Sequence, residues 1–308
     1  MSVTASGLAH SLHTRLIRHA KSLGADPNFV LTRFATERFL YRLSCSRHAE
    51  RFVLKGALLL LVRLGETFRP TRDADLLGFG HLSDEALATI LSEICAIEVE
   101  PDGVTFEIPS IRLSAIRPED IYGGSRINLI ARLGLARIHL QVDVGIGDAI
   151  IPEPEWIEYP SLLDLPRPRL RAYRLETIIA EKTQTMVQLG TINSRMRDFF
   201  DLYQLAQKES FEGEILVAAL RATFDRRRTL IPDGLPIALT RAFTQLPDKR
   251  AQWNGFLRKN RLTEVPKDMK TVLNALAEFL GPVFAAAKGK NDLSSVWPPG
   301  GPWGLAGE

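Results

Sequence analysis

Cysteine is nearly absent: Cys45 and Cys95 are the only two in 308 residues. Their spacing makes neither a disulfide framework nor a zinc site, so two reduced thiols carried on helices are expected. Long apolar runs are missing too. The longest, Ala57 to Val62, falls far short of a bilayer span. Near the N-terminus Arg15, Arg18 and Lys21 interrupt every apolar stretch, so no signal-peptide pattern forms. A soluble, cytoplasmic protein with no membrane partner is therefore expected. Neither sign of charge dominates: 39 Lys+Arg stand against 36 Asp+Glu, a net charge of +3. That balance excludes a global polycation that holds nucleic acid by its overall field, and any grip on phosphate must come from local patches. No internal repeat is visible.

What is present suits an ordinary globular chain. The hydrophobic fraction is 45% and the charged fraction 24%, enough to bury a full core in one or two domains. Phe34, Phe39, Leu40 and Leu43 recur at helical spacing. Arg51 to Lys55 reads as a short strand ending at Gly56, and Ala57 to Leu64 as a helix stopped by Gly65. Ala74 to Phe79 reads as another short strand. Ser83 is a fitting N-cap for a helix reaching Ala96. Residues Val104 to Val144 are β-rich, with strands over Ile111–Ile116, Arg126–Leu133 and Arg137–Val144, the last two joined at Gly134 as a hairpin. Prolines at 152, 154, 160, 166 and 168 mark a connector. Helices follow, including Leu175–Leu189 and Met196–Gln207. The class is α+β, divided into residues 1–165, a helical domain over 166–287, and a Gly/Pro/Ser-rich tail, 288–308, expected to be disordered.

Five constellations carry chemistry. Asp73 and Asp75 lie two apart in an extended segment and so project to one face, opposite Ala74 and Leu76. Paired carboxylates repel unless a cation lies between them, and magnesium suits such a pair; a solvated acidic turn is the plainer alternative. Leu54-Lys55-Gly56-Ala57 is a strand running through glycine into a helix, which offers free amides to a phosphate or is simply a turn. Asp143 shares a strand face with His139 and Gln141, opposite Ile138, Leu140, Val142 and Val144. Asp148 reads as a loop residue. Lys182 interrupts the apolar stripe of Ile178, Ile179, Met186 and Leu189, so its ammonium either snorkels to the rim or faces a polyphosphate. Asp198 and Asp201 sit one turn apart, with Phe199 and Leu202 expected to pack inward.

These strings, in this order, resemble the AbiEii/AbiGii toxin family of nucleotidyltransferases: Phe52-Val-Leu-Lys-Gly-Ala, Arg69-Pro-Thr-Arg-Asp-Ala-Asp-Leu-Leu-Gly, Leu140-Gln-Val-Asp-Val-Gly-Ile-Gly-Asp, Tyr173-Arg-Leu-Glu-Thr-Ile-Ile-Ala-Glu-Lys and Arg195-Met-Arg-Asp-Phe-Phe-Asp-Leu. The resemblance spans roughly residues 30–210. It implies a nucleotidyltransferase-fold mixed sheet with flanking helices, followed by an α-helical C-terminal domain. It also implies a catalytic set of Asp73, Asp75, Asp143, Lys182 and Asp198. Of these, Asp73, Asp75 and Asp143 would hold metal, while Lys55, Gly56, Arg72 and Lys182 would face the nucleotide. Asp201 stays open as the alternative to Asp198. The implied cofactor is Mg2+ or Mn2+ and the substrate an NTP. The implied acceptor is RNA, expected to be the tRNA 3′ end. The partner would be an antitoxin with a winged-helix domain. Ala57 departs from the family's usual glycine or serine, and Ala74 is smaller than its usual apolar residue.

Basic runs in the C-terminal region, Arg226-Arg227-Arg228, Lys249-Arg250 and Arg258-Lys259-Asn260-Arg261, favour RNA and nominate Arg226, Arg227, Arg228 and Lys249 as its contacts. A small-molecule or protein acceptor is the alternative. A non-catalytic relative is disfavoured because both aspartates are present.

Overall fold

A computed structural model describes residues 5–65, 70–116 and 123–304. It divides into two compact units. Within the described residues the first comprises the chain up to Val62, Thr71–Gly147 and Glu155–Ala172. The second comprises the described residues of 63–70, Asp148–Pro154 and the described chain from Tyr173 on. The proline-rich connector is thus shared, because its later part supplies two strands to the sheet of the first unit.

The first unit opens with helices α1 (Ala5–Ser22) and α2 (Pro27–Cys45). The start of α2 is set by Asp26, whose carboxylate accepts from the Asn28 amide, and by proline at the first helical position. Phe34, Phe39, Leu40 and Leu43 of α2 are buried, as their spacing predicts. The same helix also buries Glu37, Arg38 and Arg42. Each charge is met. Arg42 forks onto Asp102 at 2.7 and 3.1 Å. Arg38 Nη2 donates to Glu37 and, at 2.8 Å, to the Pro166 carbonyl. Glu37 accepts from Ser161 Oγ and the Leu162 amide. Burial pushes the Glu37 carboxyl up, and Arg38 with these donors pulls against it.

Strand β1 (Phe52–Lys55) runs into α3 (Gly56–Leu64), then β2 (Ala74–Gly78) and α4 (Asp84–Cys95). Ser83 caps α4 by accepting from the Ala86 amide. The long strands β3 (Val104–Ala115), β4 (Gly124–Leu133) and β5 (Ala136–Ile146) follow, then β6 (Glu155–Glu158) and β7 (Arg169–Ala172). The seven-stranded mixed sheet has the order β3-β4-β5-β2-β1-β7-β6. Its parallel pairs are β2 with β5 and β1 with β7. β3 begins earlier than the alternation suggests, since Pro109 and a register shift between Glu107 and Arg112 break the pattern. An edge strand tolerates both.

The second unit contains α5 (Leu175–Leu189), α6 (Met196–Lys208), β8 (Phe211–Glu212), α7 (Gly213–Arg226), α8 (Arg241–Thr244), α9 (Lys249–Lys259), α10 (Met269–Ala287) and β9 (Val296–Trp297). Here the expected disordered tail is corrected over its described part, 288–304. β9 pairs with β8, and Trp297 is buried with its indole N–H on the Ala206 carbonyl at 2.7 Å. Trp303 donates to the Phe279 carbonyl and stacks on that ring. Glycine and proline give the segment a disorder-like composition, but two tryptophans bury enough area to anchor it. Residues 305–308 lie outside the described residues. Among the described residues no helix is long and apolar enough to cross a membrane.

Candidate active site

Sheet register assembles the first cluster. β2 and β5 run parallel, and their pairing sets Asp75 beside Asp143. β1 pairs with β2 so that Lys55 lies opposite Asp75, and β4 pairs with β5 so that Arg126 lies opposite Asp143. Register partners share a face. The face therefore carries a lateral row across four strands: Arg126, Asp143, Asp75, Lys55. Asp73 is half-buried one residue before β2 begins. On β5 the alternation holds, with Ile138, Leu140, Val142 and Val144 buried.

Gly56 closes the row at the turn from β1 into α3. Its φ of +69° is one that L residues rarely adopt, and a Cβ there would lie 2.1 Å from Asp75 Oδ2. The glycine thus makes room for a carboxylate. Arg72 points elsewhere, pairing with Asp26 at 3.0 Å with both side chains exposed.

Arg126 is the residue that the sequence reading missed. Its Nε donates to Asp143 Oδ1 at 2.9 Å and its Nη2 to Oδ2 at 2.7 Å, while Gln141 Nε2 reaches Oδ1 at 3.3 Å. The hydrogen bonds to Asp143, followed by the charges of Asp143, Asp73 and Asp75, hold the guanidinium above its ordinary range against partial desolvation. Among the described residues no three His, Cys, Asp or Glu side chains are gathered to hold an ion. Both oxygens of Asp143 face Arg126. Asp73 and Asp75 still offer the hard oxygen donors that magnesium takes.

The second unit answers why a lysine interrupts the stripe on α5. Lys182 Nζ lies 2.8 Å from Asp198 Oδ1 and 2.7 Å from Asp201 Oδ2, and Arg195 Nε donates to Asp198 Oδ2 at 2.6 Å. Phe199 and Leu202 pack inward on α6 as expected, and both aspartates are buried there with them. The ammonium is paired rather than snorkelling. Burial works to raise the Asp198 carboxyl, but Lys182, then Arg195, outweigh it and bring it down to about 2.

A depressed folded-state value means stability that is present above the unfolded value of 3.8 and lost as pH falls toward about 2. The ionised Asp198 should therefore contribute about 2 kcal/mol of stability at neutral pH, and that contribution is lost across this window. Denaturant titrations at pH 5, 4, 3 and 2.5 should show wild type losing stability more steeply than Asp198→Asn. Parallel curves would contradict the assignment.

Two of the four nominated RNA contacts are committed inside the fold. Arg227 donates to Asp148 Oδ1 at 2.9 Å and to Gln184 Oε1 at 2.9 Å, and lies 3.5 Å from Glu181. Burial works against its charge, but Glu181 and Asp148 hold its pKa above the ordinary value. Lys249 is 3% exposed and donates to the Asn193 carbonyl and to Asp248. Arg226 and Arg228 are exposed. Asp148 lies in a loop, as expected, and anchors Arg227. A cavity of about 1160 Å³ in the first unit lies between α1 and the β4–β5 turn, lined by His10, His13, Arg132 and Leu135 among others. It is at the hairpin end of β5 and includes none of the carboxylates of the row.

The model of the family described as nucleotidyl transferase AbiEii toxin, Type IV TA system, matches residues 38–277. JHP933 from Helicobacter pylori is 15% identical, with 86% of this chain and 95% of that chain covered at a TM-score of 0.49. A second H. pylori structure, of a protein assigned as a nucleotidyltransferase, is also 15% identical, with coverages of 85% and 97% and a TM-score of 0.46. No curated protein matches. The family match spans well over half of the sequence, and the chain belongs to the AbiEii nucleotidyltransferase toxin family.

Proposed function

We propose that the chain transfers a nucleotide from an NTP to RNA at the 3′ end of tRNA, and that a divalent metal at Asp73 and Asp75 is required. The observation that carries this reading is the placement of Asp75 beside Asp143 on adjoining parallel strands, with Asp73 two residues away and Gly56 leaving room for the Asp75 carboxylate. Magnesium or manganese bound there supplies charge neutralisation at the α-phosphate. Asp143 orients the attacking hydroxyl or takes its proton. Lys55 lies on the same row for the phosphates, and the amides at the start of α3 suit them too. Lys182 and Asp198 belong to the second unit, and their part in the reaction rests on the family resemblance. The winged-helix character of the antitoxin rests on it as well.

A small-molecule or protein acceptor is the second reading. What favours it is that Arg227 and Lys249 are committed internally. The test is to incubate the purified chain with each labelled NTP, magnesium and total RNA, and to sequence tRNA 3′ ends after expression without the antitoxin. Label should enter RNA with wild type, and not with Asp73→Asn or with excess chelator. Full transfer in chelator overturns the metal requirement. Unmodified tRNA ends in growth-arrested cells move the second reading into first place.

A further inference from the structure

The row on the sheet face has an order of charges with a consequence for ligand binding. Two carboxylates, Asp143 and Asp75, occupy its middle, and two cations, Arg126 and Lys55, occupy its ends. Arg126 uses two of its guanidinium nitrogens on the two oxygens of Asp143. A planar guanidinium matches two kinds of oxyanion with this fork, carboxylate and phosphate. The two partners differ in freedom to move. The Arg126 side chain is 43% exposed, whereas that of Asp143 is 15% exposed and fixed on a central strand. Arg126 can exchange its partner, and Asp143 cannot follow it.

We propose that Arg126 is a latch on Asp143: in the nucleotide-free protein it occupies the carboxylate, and an arriving phosphoryl group takes over the guanidinium and releases Asp143 to the site. The proposal rests on the metal-dependent transfer argued above. It assigns Arg126 as a positioning residue for Asp143 and as a phosphate contact, with NTP polyphosphate and RNA backbone as the two sources of the same chemistry. It also accounts for a sheet that brings three aspartates near one another without gathering them as ligands. The third carboxylate is withheld until substrate is present, which keeps the metal weakly held beforehand.

The test uses the full chain and four proteins: wild type, Arg126→Gln, Asp143→Asn and the double variant. Mn2+ alone is titrated first, in the absence of nucleotide and RNA. Arg126→Gln should bind Mn2+ on the order of tenfold more tightly than wild type, because a further carboxylate becomes available. A cation removed from an acidic neighbourhood could tighten binding through the field alone, and the double variant separates the two causes. The gain should vanish when Asp143 is already Asn. If it persists, the latch is overturned.

The second arm measures binding of each of the four NTPs without RNA, and of a tRNA without NTP. Arg126→Gln should weaken one of them roughly tenfold, the loss naming the phosphate source. Unchanged affinity for both overturns the phosphate contact. Arg126→Lys keeps the charge but not the fork, so it should give the same signs at smaller size and covers a Gln variant that does not fold. A wild type that binds no Mn2+ would instead overturn the metal site itself, a different failure from Mn2+ binding that Arg126→Gln leaves unmoved.

Discussion

Replacing Lys182 with methionine is expected to destabilise the second unit by about 3–5 kcal/mol, the usual range for removing one partner of a buried ion pair. On α5 alone the change looks favourable, because methionine would complete the apolar stripe of Ile178, Ile179 and Met186, all buried. The penalty arises on α6. The ammonium lies 2.8 Å from Asp198 and 2.7 Å from Asp201, whose side chains are 1% and 0% exposed. Asp198 keeps Arg195, but Asp201 loses this ammonium, and a buried carboxylate left short of positive charge escapes by taking up a proton. The deficit of the variant against wild type should therefore narrow from pH 7 toward pH 4. Lys182→Arg should recover part of the loss, and adding Asp198→Asn and Asp201→Asn to Lys182→Met should recover more. The measurement is the denaturant midpoint with the slope m compared across variants. A Lys182→Met protein that unfolds at the wild-type midpoint with unchanged m would sink this account. Loss of NTP affinity in Lys182→Met cannot be separated from loss of structure, so the nucleotide role is better tested with Lys182→Arg.

The same residues show what a sequence can and cannot reveal. The helix α5 is bounded by the apolar stripe itself, and its ends coincide with the expected Leu175–Leu189. The stripe also singles out Lys182 as anomalous. What it lacks is the partner. Asp198 and Asp201 share a face by spacing, but spacing does not say that the face is buried, and α6 is covered by α5, α9 and α10 together. Both aspartates and both apolar neighbours therefore lie inside. Runs of arginine mislead in the same way. Arg226, Arg227 and Arg228 read as one patch, yet the middle one turns inward to Asp148 and Gln184. Arg126, by contrast, was legible and overlooked. The tight turn at Gly134-Leu135 pairs Leu133 with Ala136, and stepping equally far from the turn along both strands brings Arg126 opposite Asp143. The further steps of the row depend on the parallel pairing of β5 with the distant β2, which reaches Asp75, and on the antiparallel pairing of β2 with β1, which reaches Lys55; no local pattern encodes either.

Gly56→Ala is expected to cut nucleotide transfer by about 100-fold or more while costing only about 1–2 kcal/mol of stability. Two separate obstacles meet at this position. The φ of +69° is strained for any L side chain, which accounts for most of the stability loss. The added methyl would also lie 2.1 Å from Asp75 Oδ2 and 2.7 Å from both Asp75 Cβ and Cγ. Turning the carboxylate away relieves only part of this, because Asp75 Cβ is fixed by the pairing of β2 with β1 on one side and β5 on the other. Either the carboxylate leaves the row or the turn into α3 shifts, and both displace groups that the proposed reaction needs in place. The two outcomes read differently. If the methyl acts through Asp75, Mn2+ affinity in the absence of nucleotide should fall together with turnover. If it acts by keeping phosphate from the amides of α3, Mn2+ affinity should hold and the KM for NTP should rise. Asp75→Ala removes Cγ and both oxygens, so Gly56→Ala should cost less stability in that background than in wild type. Equal costs in the two backgrounds would mean that the glycine answers only to its backbone angle. Wild-type turnover in Gly56→Ala would go further, showing that the Asp75 carboxylate needs neither this position nor this orientation for transfer.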